Sequence, residues 1–448
     1  MLGFSGTREW VYPQSIKGRF TTLRRWTFLA LHLTLFLTPW IIVGGSPLLL
    51  IDISARQVFF VGAIFTASDS FFFLLLLLFL AFALFFFTSL WGRLWCGYTC
   101  PQTVFLETWI RPLEIWIEGD RTQRRRRDKQ KWSFDRIWRK GAKWSAFLVV
   151  SLLLATAIVS LFAPARDLWT GRSGSLAYSF VGAFTFLWYL DFTWFREQFC
   201  NFLCPYARFQ SALTDDETLL IGYDPARGEP RGGKEAAADG RCIACNKCVV
   251  VCPQGIDIRD GFQLECIQCA RCVDACVSVM DKLGHHTLVE YTSQAEQEGR
   301  TVRRLRPRTL VYGGLLVALA AFGFTLMAQR LPFEATVNRV PGSLFTLDPD
   351  GFVRNTYLVQ ITNNKPGETP VSFQVSVEGI PGAEVLAQDV QLASSETRTL
   401  PLIVRVSQDQ DVGRTVSIEV RVVSPDGEIR IPTTFKTGAT VGAGTDWD

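Results

Sequence analysis

Histidine and methionine are nearly absent, with three of each in 448 residues. The histidines are His32, His285 and His286, and only His32 lies in a long apolar run. A membrane haem held by two axial histidines from different spans therefore cannot be built. Residues 331–448 contain no Cys, His or Met. This excludes a disulfide framework there and makes that region a poor copper carrier. Basic residues are also missing from particular places. Arg56 is the only one between the first two apolar runs, and Arg166 and Arg172 are the only ones between the third and fourth.

Long apolar runs, by contrast, are abundant. Five of them, at 26–45, 70–92, 143–163, 175–195 and 308–328, reach the ~20 residues that a bilayer-crossing helix needs. Lys17, Arg19, Arg24 and Arg25 before the first run resemble the start of a signal peptide. The run is longer than the ~7–15 residues of a signal core and lacks a small-residue cleavage site, so it reads as a retained anchor. The run "RTQRRRRDKQKW" (Arg121 to Trp132) sits between spans two and three. Beside two spans it reads as a topology signal rather than a nucleic-acid patch, and no nucleic-acid partner is expected. The positive-inside rule then places the N-terminus, the 93–142 loop and the segment between spans four and five in the cytoplasm. The last region falls on the opposite side of the membrane.

Residues 331–448 change character. "VSFQVSV", "LPLIVRV" and "VSIEVRVV" alternate apolar and polar residues, and "NNKPGE" and "SPDGE" supply turns. This is the pattern of an antiparallel, immunoglobulin-like sandwich. The expected fold is multi-domain. An α-helical membrane bundle of five transmembrane helices carries an inserted cytoplasmic two-cluster bacterial-ferredoxin-like module and a C-terminal all-β sandwich. The divisions are a cytoplasmic N-terminus (1–25), four transmembrane helices with a basic loop (26–199), a cytoplasmic segment (200–306) holding the ferredoxin module (about 236–282), a fifth helix (307–330), the sandwich (331–438) and a tail (439–448).

All twelve cysteines lie on the predicted cytoplasmic side or at its membrane edge. "CIACNKCVVVCP" holds Cys242, Cys245, Cys248 and Cys252, and "CIQCARCVDACV" holds Cys266, Cys269, Cys272 and Cys276. Each is C-x2-C-x2-C-x3-C, the bacterial ferredoxin run for a [4Fe–4S] cluster, whose fourth cysteine serves the other cluster. One cluster is therefore expected on Cys242, Cys245, Cys248 and Cys276, and a second on Cys266, Cys269, Cys272 and Cys252. A zinc site would need two separated pairs, not two interleaved runs of four. Val277 stands where the second run would usually carry proline, which removes a turn constraint and no ligand.

The other four cysteines form an internal repeat. C-x3-C-P-x3-F occurs from Cys96 to Phe105 and again from Cys200 to Phe209. On a helix, i and i+4 share a face, so each pair is expected to point both sulfurs one way. The following proline suits the first turn of a new helix. Four thiols would then converge at the membrane edge as a soft-metal site, a thiol redox pair or a further cluster, with inert buried thiols as the plainer alternative. His32 reads as a packed or edge histidine, His285 and His286 as surface residues, and Asp191 in the fourth span as facing the bundle interior or the interface.

"GRLWCGYTCPQTVF", "EGDR", "REQFCNFLCPYARFQSAL", "YDPARGEPRG" and "GIDIRDGFQLECIQCARCVDAC" together resemble the CcoG/FixG/RdxA-type accessory proteins of cbb3-type cytochrome c oxidase, over nearly the whole chain. The resemblance implies a bacterial inner-membrane polyferredoxin with a periplasmic C-terminal domain. It implies an oxidoreductase that reduces Cu(II) to Cu(I) for oxidase assembly, with copper as substrate or transient ligand at Cys96, Cys100, Cys200 and Cys204. The implied partners are the membrane, a cytoplasmic electron donor or quinol, and oxidase-assembly and copper-handling proteins. A quinol dehydrogenase subunit and a non-enzymatic assembly scaffold are the rival readings. The stretch "KLGHHTLVEY" departs from the basic, Pro-containing segment expected after the second cluster run.

Overall fold

The computed structural model describes residues 10–232, 241–303, 305–342, 344–367, 369–410 and 412–438. The predicted tail, 439–448, lies outside them. Among the described residues, three helical segments are long and apolar enough to cross a membrane: Ala67–Trp91, Phe134–Val159 and Pro307–Gln329. The chain is thus a membrane protein. The helices named below are α1 (Arg19–Leu37), α2 (Ser70–Trp91), α3 (Phe134–Val159), α4 (Ser175–Leu190) and α5 (Pro307–Gln329). Phe and Leu surround α2 on every side, so no face of it favours water. Its entry is fixed by a capping box in which Thr66 and Asp69 satisfy each other's backbone N–H groups.

The other two predicted spans are shorter as helices. α1 ends at Leu37, just before Pro39, which cannot continue a helix interior. The run predicted to 45 instead turns at Gly44 and Gly45, both with positive φ, between short paired strands Ile42–Val43 and Ser46–Pro47. α4 has 16 residues and passes into a π-type turn, Asp191–Phe195. The basic stretch read as a loop is largely a succession of short helices, including Arg111–Glu118 and Arg121–Lys129.

The chain divides into two compact units. One comprises the described residues up to Thr38 with those of Phe72–Gly323. The other comprises Pro39–Phe71 with the described residues from Phe324 onward. In the second unit, two antiparallel sheets form a sandwich. With strands β1 (Phe333–Arg339), β2 (Thr346–Leu347), β3 (Phe352–Asn363), β4 (Val371–Glu378), β5 (Glu384–Leu386), β6 (Val390–Leu392), β7 (Thr397–Ser407), β8 (Thr415–Ser424) and β9 (Gly427–Lys436), the orders are β5-β7-β3-β1 and β6-β4-β8-β9, and β2 pairs with β3. Along β3, Val353, Asn355, Tyr357, Val359, Ile361 and Asn363 point inward at every second position. Asn355 ties the sheets together, donating from Nδ2 to Lys436 O (2.8 Å) and accepting from Lys436 N at Oδ1 (3.1 Å). At one end of this unit Arg330 grips Asp69 with two hydrogen bonds of 2.9 and 2.6 Å.

The first unit packs Ile110, Phe147, Leu154 and Phe192 into one apolar cluster. Beside it lies a compact cysteine-bearing module. Leu220–Tyr223 pairs antiparallel with Val289–Thr292, so this module reaches beyond the cysteine runs at both ends. Its core is built on Ile221, Tyr223, Ile258, Val273 and Leu288.

Candidate metal and electron-transfer site

The two ferredoxin runs fold as near copies. Ala244 and Asn246 in the first run match Gln268 and Ala270 in the second, and all four have φ between 52° and 56°. Left-handed backbone at non-glycine residues is costly, and here it wraps each loop around a cavity. Cys242, Cys245, Cys248 and Cys276 border one cavity. Cys252, Cys266, Cys269 and Cys272 border another, where Cys248 also reaches. Among the described residues, no three His, Cys, Asp or Glu side chains close on a single metal ion. Ringing a cavity is the arrangement that suits a cube with one thiolate at each iron corner. Burial pushes the free Cys252 thiol up to about 11 and Cys248 and Cys266 to about 12, so ligation must displace protons.

The four membrane-edge thiols are placed differently from expectation. Cys96 lies within the short helix Leu94–Tyr98, whereas Cys100 caps the next one, Pro101–Phe105. Cys200 sits in the π-type turn Phe199–Leu203, and Cys204 caps the helix Pro205–Leu213. Neither pair shares one helix face. Each second cysteine stands where the helix breaks, because the proline after it supplies no N–H and starts a new first turn. The thiols nevertheless converge. Burial raises Cys200, and the charges of Cys100, Cys96 and Cys204 add to that rise. Burial, then the charge of Cys100, pushes Cys96 up to about 12. Gln210, fully buried, brings its amide to 3.6 Å from Cys96 Sγ.

This thiol group touches the cysteine module through a glycine. A Cβ on Gly97 would lie 2.6 Å from Ile267 O and 3.0 Å from Cys269 Cα. Any side chain there would force the two backbones apart. Arg24 Nε donates to Gly97 O at 2.8 Å, and Arg93 binds the carbonyls of Leu264 and Ala207. The same close approach recurs at Gly18, where a Cβ would strike the Asp274 carboxylate. Asp274 accepts from Phe20 N, Thr21 N and Thr21 Oγ1 at 3.1, 2.8 and 2.7 Å. A module residue thus caps the N-terminus of α1.

A buried ionic network completes the junction. Arg196 grips Glu114 with two 2.9 Å bonds, and Arg124 reaches the same carboxylate at 2.8 Å. Glu107 pairs with Arg111 (3.0 Å) and with the module's Arg271 (2.7 Å). Burial alone would raise Glu107 and Glu114. The surrounding guanidinium groups, with Lys143 at Glu114, overcome it and hold both down to about 2.

His32 has both ring nitrogens engaged: Nδ1 lies 2.7 Å from Phe28 O, and Nε2 accepts from Trp109 Nε1 at 2.8 Å. Asp191 is buried and receives Gln102 Nε2 at 2.7 Å. His285 and His286 are exposed. Sequence reasoning missed Gly97, Gln210, Asp274 and the Glu114–Arg196 pair. Only the proximity of Gly97 to Cys96 could have drawn attention to any of them.

Three family models match the chain: a "4Fe-4S dicluster domain" over 195–294, a "4Fe-4S binding domain" over 72–121, and the "IG-like fold at C-terminal of FixG" over 323–437. The chain is 37% identical to the nitrogen fixation protein FixG of Rhizobium meliloti over 430 residues, covering 84% of this chain and 80% of that one. It is 35% identical to protein RdxA of Cereibacter sphaeroides over 440 residues, 92% of each. The chain belongs to the FixG/RdxA family. RdxB of the same organism is 37% identical over 394 residues, 83% of this chain and 82% of that one. A crystal structure of a FixG-related protein from Vibrio parahaemolyticus is also similar, at 19% identity over 23% of this chain and 95% of that chain, with a TM-score of 0.22. This FixG/RdxA-family member is an iron–sulfur electron-transfer protein of the oxidoreductase type. The 72–121 match contains only two cysteines, Cys96 and Cys100, so that stretch cannot complete a four-thiolate site alone.

Proposed function

We propose that the protein reduces Cu(II) to Cu(I) at Cys96, Cys100, Cys200 and Cys204, for assembly of a cbb3-type cytochrome c oxidase. The cavity linings support ligation of one [4Fe–4S] cluster by Cys242, Cys245, Cys248 and Cys276 and of a second by Cys252, Cys266, Cys269 and Cys272. When bound, such clusters supply one-electron carriers with protein-tuned potentials. The observation that carries the reading is the Gly97 contact, which sets the thiol hairpin directly against Cys269. Thiolates favour Cu(I) over Cu(II), so the four sulfurs would help drive the reduction. The chain's own contribution is the short junction, the soft ligand set and the Gln210 amide beside Cys96.

In this reading α1 and α4 also span the bilayer, giving five spans. The N-terminus and cysteine module are cytoplasmic and the sandwich periplasmic, where it would meet oxidase-assembly or copper-handling partners. The basic run at Arg121–Lys129 supports that orientation. Alkaline phosphatase fusions after Gly62 and Gly438 should be active and one after Gly299 inactive.

The deciding experiment is anaerobic. Reduced protein is mixed with Cu(II), and cluster reoxidation and Cu(I) capture by a chelator are followed together. Cu(I) should appear as the clusters reoxidise. Equal rates in a variant with all four membrane-edge cysteines changed to serine would rule these thiols out as the copper site. The 72–121 match favours a second reading, in which the four thiols hold a further cluster. Iron analysis separates the two, with about eight iron atoms per chain for two cubes and about twelve for three.

A further inference from the structure

A cavity of about 850 Å³ lies within the first unit, where α2 and α5 approach the cysteine module. Phe86, Leu90, Trp91, Leu310 and Val317 give it apolar walls. Glu217 and Glu296 give it an acidic end, with Arg306 beside them. The cationic charge of Arg306 is already engaged by Asp215 and by Glu217 (3.5 Å). Glu217 also accepts from Arg303 N at 3.4 Å, and Glu296 Oε2 accepts from Thr292 Oγ1 at 3.1 Å. The acceptor presented to a ligand is therefore the other oxygen of Glu296, beside apolar walls built by two candidate spans. Gly313 lets α5 close against Phe86, whereas a Cβ on the adjacent Gly314 would meet nothing within 4 Å.

Leu219 links this cavity to the cysteines. It lines the large cavity and also a second one of about 210 Å³ that reaches Cys266. Leu219 O accepts from Gln268 Nε2 at 2.7 Å, and Gln268 stands between Cys266 and Cys269. Leu219 N in turn donates to Leu90 O at 3.2 Å. An occupant of the large cavity would therefore sit one residue layer from the second cysteine run.

We infer that this cavity binds the head group of an isoprenoid quinol, the reductant of the iron–sulfur centres. This rests on the reading of the two cysteine runs as cluster ligands. The volume suits a ring and the first part of its tail. The Glu296 carboxylate accepts from a ring hydroxyl, and its charge disfavours the phosphate of a phospholipid. The electron count closes: one quinol becomes one quinone, giving one electron to each of two [4Fe–4S] centres. Its two protons leave one after the other through the Glu296 carboxylate to water.

The test uses the full-length purified protein. An azido-ubiquinone photoprobe should label peptides containing 86–91 and 309–317, and excess phosphatidylglycerol should not displace it. Gly314→Phe fills open space in the cavity and should lower labelling about tenfold or more. It should slow anaerobic bleaching of the clusters by decylubiquinol to a similar degree, while dithionite bleaches them as in the parent protein. Labelling elsewhere, displacement by phospholipid, or unaltered quinol bleaching in Gly314→Phe would overturn the site. Iron content and dithionite bleaching report on the cluster reading independently of either outcome.

Discussion

At the centre of the sandwich lie Tyr357, Phe373, Leu392, Val404 and Ile418, all essentially without solvent exposure. Around the junction of the thiol hairpins the buried side chains include Glu114, Arg111, Arg124 and Arg196. The sandwich excludes water with apolar surface, which is non-directional and tolerates modest repacking. The junction buries paired charges, whose desolvation is repaid only while each partner stays in place. The contrast is one of tolerance. The sandwich can lose a methyl group and persist, whereas the junction depends on individual partners from distant parts of the chain.

The largest expected effect tests that contrast directly. Glu114→Ala leaves Arg196 and Arg124 buried without their carboxylate and should cost about 3–5 kcal/mol. Protease resistance of the 93–142 region, compared with that of 333–436, reads the loss region by region. Equal resistance in the variant and the parent would remove the distinction.

Acid gives the same comparison without mutation. Glu107 and Glu114 are held below their unfolded value of 4.5, down to about 2. Their stabilisation is complete above the unfolded value and is lost as pH falls through the folded one. Between pH 4.5 and about 2, pepsin should therefore cut the junction before the sandwich core strands. Cleavage in the opposite order would contradict the assignment.

Gly97→Val sharpens the functional side of the comparison. Separating the thiol hairpin from Cys269 should slow Cu(I) formation several-fold, because electron transfer weakens with each added ångström of gap. Iron content measured alongside separates slower transfer across the contact from loss of the cluster that Cys269 would help hold. An unaltered rate would show that electrons do not leave across this contact.

The smallest effect is expected in the sandwich. Tyr357→Phe removes the hydroxyl that donates to Thr434 O at 2.7 Å and should cost about 1 kcal/mol. Thermal unfolding followed in the sandwich strands measures it. A loss as large as that at Glu114 would mean that the sandwich too relies on individual polar contacts.

Much of this organisation is legible in the linear chain. Period-two alternation marks β3, β4, β7 and β8 because a strand's faces alternate whatever lies around it. The cysteine runs are equally local, since a loop closing on a cube fixes its own spacing. The helical pairing of Cys96 with Cys100, and of Cys200 with Cys204, was not legible as geometry. Proline breaks each helix at the second cysteine, and the four thiols meet only through packing. Hydropathy does not mark the ends of α1 and α4, because the apolar runs extend past Leu37 and Leu190, where Pro39 and the turn at Asp191 end the α-helical geometry.

By itself the sequence determined the secondary-structure periods, the ferredoxin spacing and the duplicated C-x3-C-P motif, because each depends on neighbours a few residues apart. Only the tertiary structure decided that Gly97 would meet Cys269, that Asp274 would cap α1, and that Arg196 would neutralise Glu114. Those partners lie 172, 253 and 82 residues apart. Close approach and buried charge are settled by packing in space, which no local pattern encodes.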